Sequence, residues 1–240
     1  MRSCSTSARS PARRGASRSA RRLRAPRPER RRSNSMGARW RPYEQDLREA
    51  GAQCVAGLDE VGRGPLAGPV VACAVVMPPM GRRIAGVADS KQLRAADRER
   101  LAAVIRREAL AVGLGAASVA EIDRLNILQA TTLAMRRAIA RLGVVCDHVV
   151  VDGRPVRGLG TTHTAIVKGD ATCYSIACAS IVAKVLRDAL MTRLAARHDG
   201  YGWARNAGYG TPEHLAALQR LGATRHHRQS FAPVTQLGLF

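Results

Sequence analysis

The chain has 240 residues, 46% of them hydrophobic and only 3% aromatic, and a net charge of +21. That hydrophobic share supports a core of Ala, Val, Leu and Ile and excludes a wholly disordered chain, while no apolar run reaches the ~20 residues of a membrane-spanning helix. The charge is uneven: residues 1–35 hold twelve Arg and one Glu, +11, and residues 36–240 carry the remaining +10, so the body too is basic and polyanions are its expected partners.

Residues 1–38 are Arg, Ser, Ala and Pro with almost no apolar content, and are expected to be a disordered basic tail, with Met36 a candidate true start. An Arg- and Ser-rich, acid-poor terminus is also the composition of a transit peptide; no apolar stretch follows the Arg pairs to make a secretory signal. The folded body is expected over 39–232. Residues 53–59 (QCVAGLD) and 69–77 (PVVACAVVM) are β-branched apolar runs around a Gly/Pro turn, and read as a strand pair. Residues 94–111 have helical periodicity, with Leu101, Val104, Ile105 and Leu110 on one side. Residues 111–117 read as a third strand. Ser118 and Glu121 form a capping box, which predicts one helix running to Leu142 and stopping at Gly143. Residues 148–152 (HVVVD) and 162–167 read as strands, and 174–197 as a long helix. Thr211-Pro212 opens a last helix that ends at Gly222. Strands and helices interleave, so the expected class is α/β with a mixed sheet. Cys4, Cys54, Cys73, Cys146, Cys173 and Cys178 form no C-x-x-C pair. They read as small hydrophobes in a reducing compartment, the cytoplasm, and not as staples or zinc ligands.

The scarce carboxylates carry more information. Asp59-Glu60 ends the first strand and runs into Val-Gly-Arg-Gly-Pro. Asp152 ends HVVVD and precedes Gly153, and Asp170 closes the turn Lys168-Gly169-Asp170 before the long helix. Carboxylates at the ends of neighbouring strands can converge at one sheet edge, where open α/β sheets bind ligands. Such groups repel one another, and Mg²⁺ or Mn²⁺, hard cations that take oxygen ligands, would relieve the repulsion. Two such ions about 3.5–4 Å apart activate a water and stabilise the leaving oxygen in phosphodiester cleavage. Taken singly, each Asp reads equally well as a turn or cap residue.

GLDEVGRGPLAGPVVACAVV (57–76) closely resembles the signature of the ribonuclease HII family. ADSKQL (88–93), VVVDG (149–153), VKGD (167–170), SIACASIVAKVLRD (175–188) and GYGTPEHLAAL (208–218) match its later blocks in the same order, over roughly 50–232. Leu58 stands where the family more often has Ile. The resemblance implies a ribonuclease H-like mixed sheet flanked by helices, with a small helical C-terminal part, acting as a monomer. It implies metal-dependent endonucleolytic cleavage of RNA in RNA–DNA hybrids. It also implies incision 5′ of single ribonucleotides embedded in duplex DNA, leaving 3′-hydroxyl and 5′-phosphate ends. By position, the catalytic and metal-binding carboxylates are Asp59, Glu60, Asp152 and Asp170.

The same resemblance puts Gly62, Arg63 and Gly64 at the 2′-OH, the one group that separates a ribonucleotide from a deoxynucleotide, and glycines let a backbone come that close. Tyr209 matches the family tyrosine that packs on the sugar of the next deoxynucleotide. Ser90, Lys91, Lys168 and Lys184 are candidates for backbone phosphates, and each also reads as an ordinary solvated group. Arg187-Asp188 is expected to be a structural ion pair. His163, His198, His214, His226 and His227 show no metal-ligand spacing and are left unassigned. Ribonuclease HIII, and a non-catalytic basic nucleic-acid-binding protein, are the alternatives. The intact Gly-Arg-Gly and a polar N-terminal segment argue against the first, and the presence of all four carboxylates against the second.

The tail over 233–240 ends in Gln236-Leu237-Gly238-Leu239-Phe240, which resembles the bacterial sliding-clamp-binding motif Gln-Leu-(Ser/Asp)-Leu-Phe at four of five positions. Leu237, Leu239 and Phe240 would anchor in an apolar groove and Gln236 would offer an amide. Gly238 departs from the pattern and leaves the free peptide more flexible. A tail folded back on the core is the competing reading.

Overall fold

The structure, a computed structural model, describes residues 40–79 and 81–236. The expected basic tail, Cys4 and residues 237–240 of the clamp-like peptide lie outside the described residues. Five strands form one sheet: β1 (Val55–Val61), β2 (Val70–Val76), β3 (Ala111–Ala117), β4 (His148–Asp152) and β5 (His163–Ile166), in the order β3-β2-β1-β4-β5. β1, β2 and β3 pair antiparallel, whereas β4 runs parallel to both β1 and β5. This is the mixed α/β sheet expected from the sequence.

The helices are α1 (Tyr43–Glu49), α2 (Ala95–Glu108), α3 (Val119–Leu125), α4 (Ile127–Ala140), α5 (Gly169–Thr172), α6 (Tyr174–Ala195), α7 (Trp203–Asn206), α8 (Pro212–Leu221) and α9 (Ala232–Thr235). One sheet face sends Ala56, Leu58, Val149 and Val151 against Ala130, Ala134, Met135 and Ala138 of α4. On the other, Cys73 and Val75 pack on Ala177, Cys178 and Ile181 of α6, and Val55 and Val150 pack on Ile176. With helices on both sides β2 is buried along its whole length, so its sequence is a continuous apolar run without alternation. α7, α8 and α9 form the expected small helical part around Leu66, Met191, Trp203, Leu218 and Val234. α9 reaches past residue 232, into the segment read as tail.

The helix expected from Ser118 to Leu142 is two helices. Asn126 takes φ +71°, and its Oδ1 accepts from the N–H groups of Leu128 (2.9 Å) and Gln129 (3.1 Å), capping α4. Asn tolerates the left-handed region and competes locally for backbone donors, so it breaks the helix without a Gly or Pro. The capping box itself is present, with Ser118 Oγ accepting from Glu121 N–H and the Glu121 carboxylate accepting from Ser118 N–H.

Candidate active site

The strand register brings the first carboxylates together. β1 and β4 run parallel with Leu58 opposite Val151, so the next residues, Asp59 and Asp152, emerge side by side where the β1–β4 pairing ends, β1 itself continuing to Val61 against β2 and not stopping at Asp59 as expected. Asp59 is 7% exposed, and its Oδ1 accepts from Glu60 N–H at 2.7 Å. Asp152 Oδ1 accepts from Gly169 N–H at 2.7 Å, which ties the end of β4 to the first residue of α5. Lys168 precedes it in the left-handed region, φ +56°, and the turn delivers Asp170, 6% exposed, to the same edge.

Burial, then the charges of Glu60 and Asp152, hold the Asp59 carboxyl well above the ordinary carboxylate range. Burial pushes Glu60 up against the opposing pull of Arg63, and burial followed by the charge of Asp170 pushes up Asp152. Two cations answer part of this excess: Arg63 Nη1 lies 3.2 Å from Glu60 Oε1, and Lys91 Nζ lies 3.1 Å from Asp170 Oδ2. Beside the edge, Glu60, Asp152 and Arg63 line a cleft of about 640 Å³ with Arg154, Arg157 and the N-terminal turns of α4.

Other expected residues fall around this edge. Gly64 and Tyr209 are neighbours: a Cβ placed on Gly64 would lie 3.6 Å from the Tyr209 ring, and Tyr209 is 45% exposed. Ser90 is buried, and its Oγ lies 2.7 Å from the Ser180 hydroxyl. Lys184 is paired with Asp188 at 2.7 Å, in a separate groove of about 740 Å³ between α2, α6 and α7.

The Arg187–Asp188 ion pair does not form. Successive helical residues point about 100° apart, so neighbours rarely face each other. Arg187 is fully buried and donates to the carbonyls of Pro69 (3.0 Å), Ala207 (2.9 Å) and Ala67 (3.1 Å), while Asp188 faces Lys184 and Arg98. Cys73, Cys173 and Cys178 are buried as expected, whereas Cys54 and Cys146 are only half-buried and face each other with sulfurs 3.0 Å apart. Sequence reasoning missed Ser180, Arg154, Arg157 and Arg228; none stands in a pattern that separates it from an ordinary helix or loop residue.

A ribonuclease HII family profile matches residues 56–234. The chain belongs to the ribonuclease HII family. It is 61% identical over 187 residues to the ribonuclease HII of Rhodospirillum rubrum, covering 76% of this chain and 85% of that one. To the ribonuclease HII of Synechococcus sp. it is 55% identical over 197 residues, covering 81% and 89%. Among solved structures it is similar to ribonuclease H2 from Pyrococcus horikoshii, at 25% identity and TM-score 0.66, covering 77% of this chain and 97% of that one. It is similar at 27% identity and TM-score 0.64 to the ribonuclease HII in a PCNA:RNase HII complex from Archaeoglobus fulgidus, covering 75% and 95%. The protein is therefore an endoribonuclease acting on RNA–DNA hybrids, with a ribonuclease H-like fold. No helix among the described residues is long and apolar enough to cross a membrane.

Proposed function

We propose that the enzyme incises duplex DNA 5′ of a single embedded ribonucleotide, leaving 3′-hydroxyl and 5′-phosphate ends, with Mg²⁺ or Mn²⁺ held by Asp59, Glu60, Asp152 and Asp170. It works as a monomer in the cytoplasm. The observation that carries this reading is the four-carboxylate edge beside Gly64 and Tyr209.

The donor set fits a hard divalent cation. All four groups offer only oxygen, and three have carboxyls pushed up by burial and by one another, an imbalance a cation would relieve. Among the described residues no three His, Cys, Asp or Glu side chains close into a ready-made metal cage. Mg²⁺ usually keeps several waters and takes one or two carboxylates together with a substrate phosphate, so the nearly buried Asp59 and Asp170 need not both ligate one ion. When bound, such ions supply an activated water and neutralise the leaving oxygen.

The protein's own groups set the geometry. Glu60 N–H and Gly169 N–H fix one oxygen each of Asp59 and Asp152 and leave the second oxygens for ligation. Lys91 stands at Asp170, placed to move to a phosphate when a metal takes over its carboxylate. Gly62, Arg63 and Gly64 bring backbone to the 2′-OH, and the exposed Tyr209 ring offers a face for the adjoining sugar.

The test is a duplex carrying one ribonucleotide beside a continuous hybrid of equal length. The wild type should cut the first 5′ of the ribonucleotide when Mg²⁺ or Mn²⁺ is added. Tyr209→Ala should lose about tenfold more activity on the single ribonucleotide than on the hybrid, the size of one lost aromatic contact. Equal losses on both substrates would make Tyr209 a packing residue.

The C-terminal pentapeptide, Gln236 to Phe240, is proposed to dock on a sliding clamp and so deliver the enzyme to replicated DNA. Its sequence supports this, as does the exposure of Gln236 just past α9. Deleting 236–240 should abolish clamp binding in a titration and leave specific activity unchanged. Equal clamp affinity with and without the peptide would end the proposal.

A further inference from the structure

Two segments read above as ribonucleotide-sensing, 62–64 and 208–210, come from distant parts of the chain. Both are held by one dipeptide, His227-Arg228. Arg228 is fully buried. Its Nη2 donates to the Gly62 carbonyl (2.6 Å), its Nη1 to that of Arg63 (2.8 Å), and its Nε (3.0 Å) and Nη2 (2.8 Å) to that of Gly68. Its own backbone N–H donates to Leu66 O at 2.8 Å.

A trans peptide is planar, with its N–H antiparallel to its C=O. Turning the carbonyls of Gly62 and Arg63 inward therefore turns the N–H groups of Arg63 and Gly64 outward, away from Arg228. Neither N–H finds a protein acceptor among the described residues. The buried guanidinium thus aims two unspent donors out of the loop.

His227 grips the other segment. Thr224 N–H donates to His227 Nδ1 at 2.9 Å, so the ring proton sits on Nε2. That Nε2–H points at His214 Nε2 at 3.1 Å, whose single lone pair it shares with Trp203 Nε1–H, also at 3.1 Å. The His214 proton then sits on Nδ1 and donates to the carbonyl of Tyr209 at 2.9 Å. One tautomer of each ring is compatible with these contacts, with the His214 Nε2 lone pair shared between two donors. The segments are also tied directly, by Leu66 N–H to Gly208 O at 2.8 Å and by Arg187 spanning the Ala67 and Ala207 carbonyls.

We propose that His227 and Arg228 are positioning residues for substrate discrimination: together they fix the orientation of the Arg63 and Gly64 amides and their distance from Tyr209. The inference rests on the reading of 62–64 and Tyr209 as ribonucleotide-sensing groups. A continuous hybrid offers a 2′-OH at every step of its RNA strand, so a displaced loop can still find one. A single embedded ribonucleotide must meet the amides and Tyr209 at once. A misplacement of about 1 Å can cost about 10²-fold in rate, and it falls on the substrate that needs both contacts.

Burying a cation against carbonyl dipoles and the Phe231 ring, 5.0 Å away, with no carboxylate bonded to it is costly, and burial together with the charge of Arg187 pushes the Arg228 guanidinium down to about 9. A hydrophobic side chain would fill that space more cheaply but could not turn the carbonyls.

The experiment measures kcat/KM on the single-ribonucleotide duplex and on the continuous hybrid for Arg228→Lys, His227→Phe and His227→Gln, with thermal melts. Lys keeps the charge but cannot span three carbonyls. Phe keeps the ring but ends the relay. Gln retains an amide donor toward His214. Arg228→Lys and His227→Phe should lower the ratio of the two values about tenfold, with His227→Gln nearer the wild type. A ratio unchanged in folded variants, or parallel losses on both substrates, would overturn the inference. If Arg228→Lys does not fold, the two His227 variants decide. Tyr209→Ala in the same assay separates the two levels. If it shifts the ratio and the His227 and Arg228 variants do not, only the positioning role fails; if it leaves the ratio unchanged, the reading of Tyr209 fails first.

Discussion

Asp59→Asn is expected to abolish cleavage, by more than about a thousandfold, while duplex binding survives or tightens. The substitution keeps shape and removes one anionic oxygen ligand from the shared edge. Binding should not suffer, because affinity for a polyanion comes from basic groups and one repulsive charge is gone. The same change should raise the melting temperature of the metal-free protein. Burial, Glu60 and Asp152 hold the Asp59 carboxyl above its unfolded value. The native state therefore binds its proton more tightly than the unfolded chain does. Stability is lost as pH climbs from the unfolded value through the folded one, and at neutral pH the charged form is a net penalty that Asn removes. Adding Mg²⁺ or Mn²⁺ should reverse the order: the wild type gains melting temperature and Asp59→Asn gains little. Thermal melts with and without metal, beside a cleavage assay and a binding titration, check all three effects. Substantial cleavage by the variant, or a lower melting temperature without metal, would remove Asp59 from the site.

The carboxylate edge was legible in the sequence because the scarce acidic residues stand at or next to the ends of apolar runs, although β1 itself continues past Asp59 to Val61 and Asp170 lies in the first turn of α5. HVVVD and QCVAGLD are short apolar runs whose ends are marked by the charge itself, and strands 111–117 and 148–152 have the bounds their residues suggest. The break at Asn126 was not legible, because the capping box announces a helix and nothing after it announces a stop. α1 and α7 were missed: seven and four residues carry too little period to stand out. The Arg187–Asp188 pair failed for a different reason. Sequence adjacency of opposite charges says nothing about direction, and Arg187 turns inward to carbonyls that only the tertiary fold supplies. Arg228 was illegible in the same way, since its partners at Gly62, Arg63 and Gly68 lie far off along the chain.

Gly57→Ala should be the most destabilising small substitution near the site, costing about 3 kcal/mol or more. A Cβ at this position, two residues before Asp59 on β1, would overlap the backbone of α6, at Ser175 and 2.5 Å from Ile176 N. No side chain can swing aside there, because the obstacle is main chain in the first turn of a helix. Accommodation would require α6 to lift from the sheet, taking Ser180, the partner of Ser90, with it. Activity should therefore fall even in whatever fraction folds. For a body of this size the loss corresponds to a fall of about 10 °C in melting temperature. Gly143→Ala is the control. Gly143 has φ +72°, but a Cβ there meets nothing within 4 Å, so its cost is only the left-handed strain of about 1–2 kcal/mol. Melting both variants separates steric exclusion from backbone strain: Gly57→Ala must fall clearly below Gly143→Ala and lose activity, because its glycine is required by the closeness of α6 and not by its own dihedral angles.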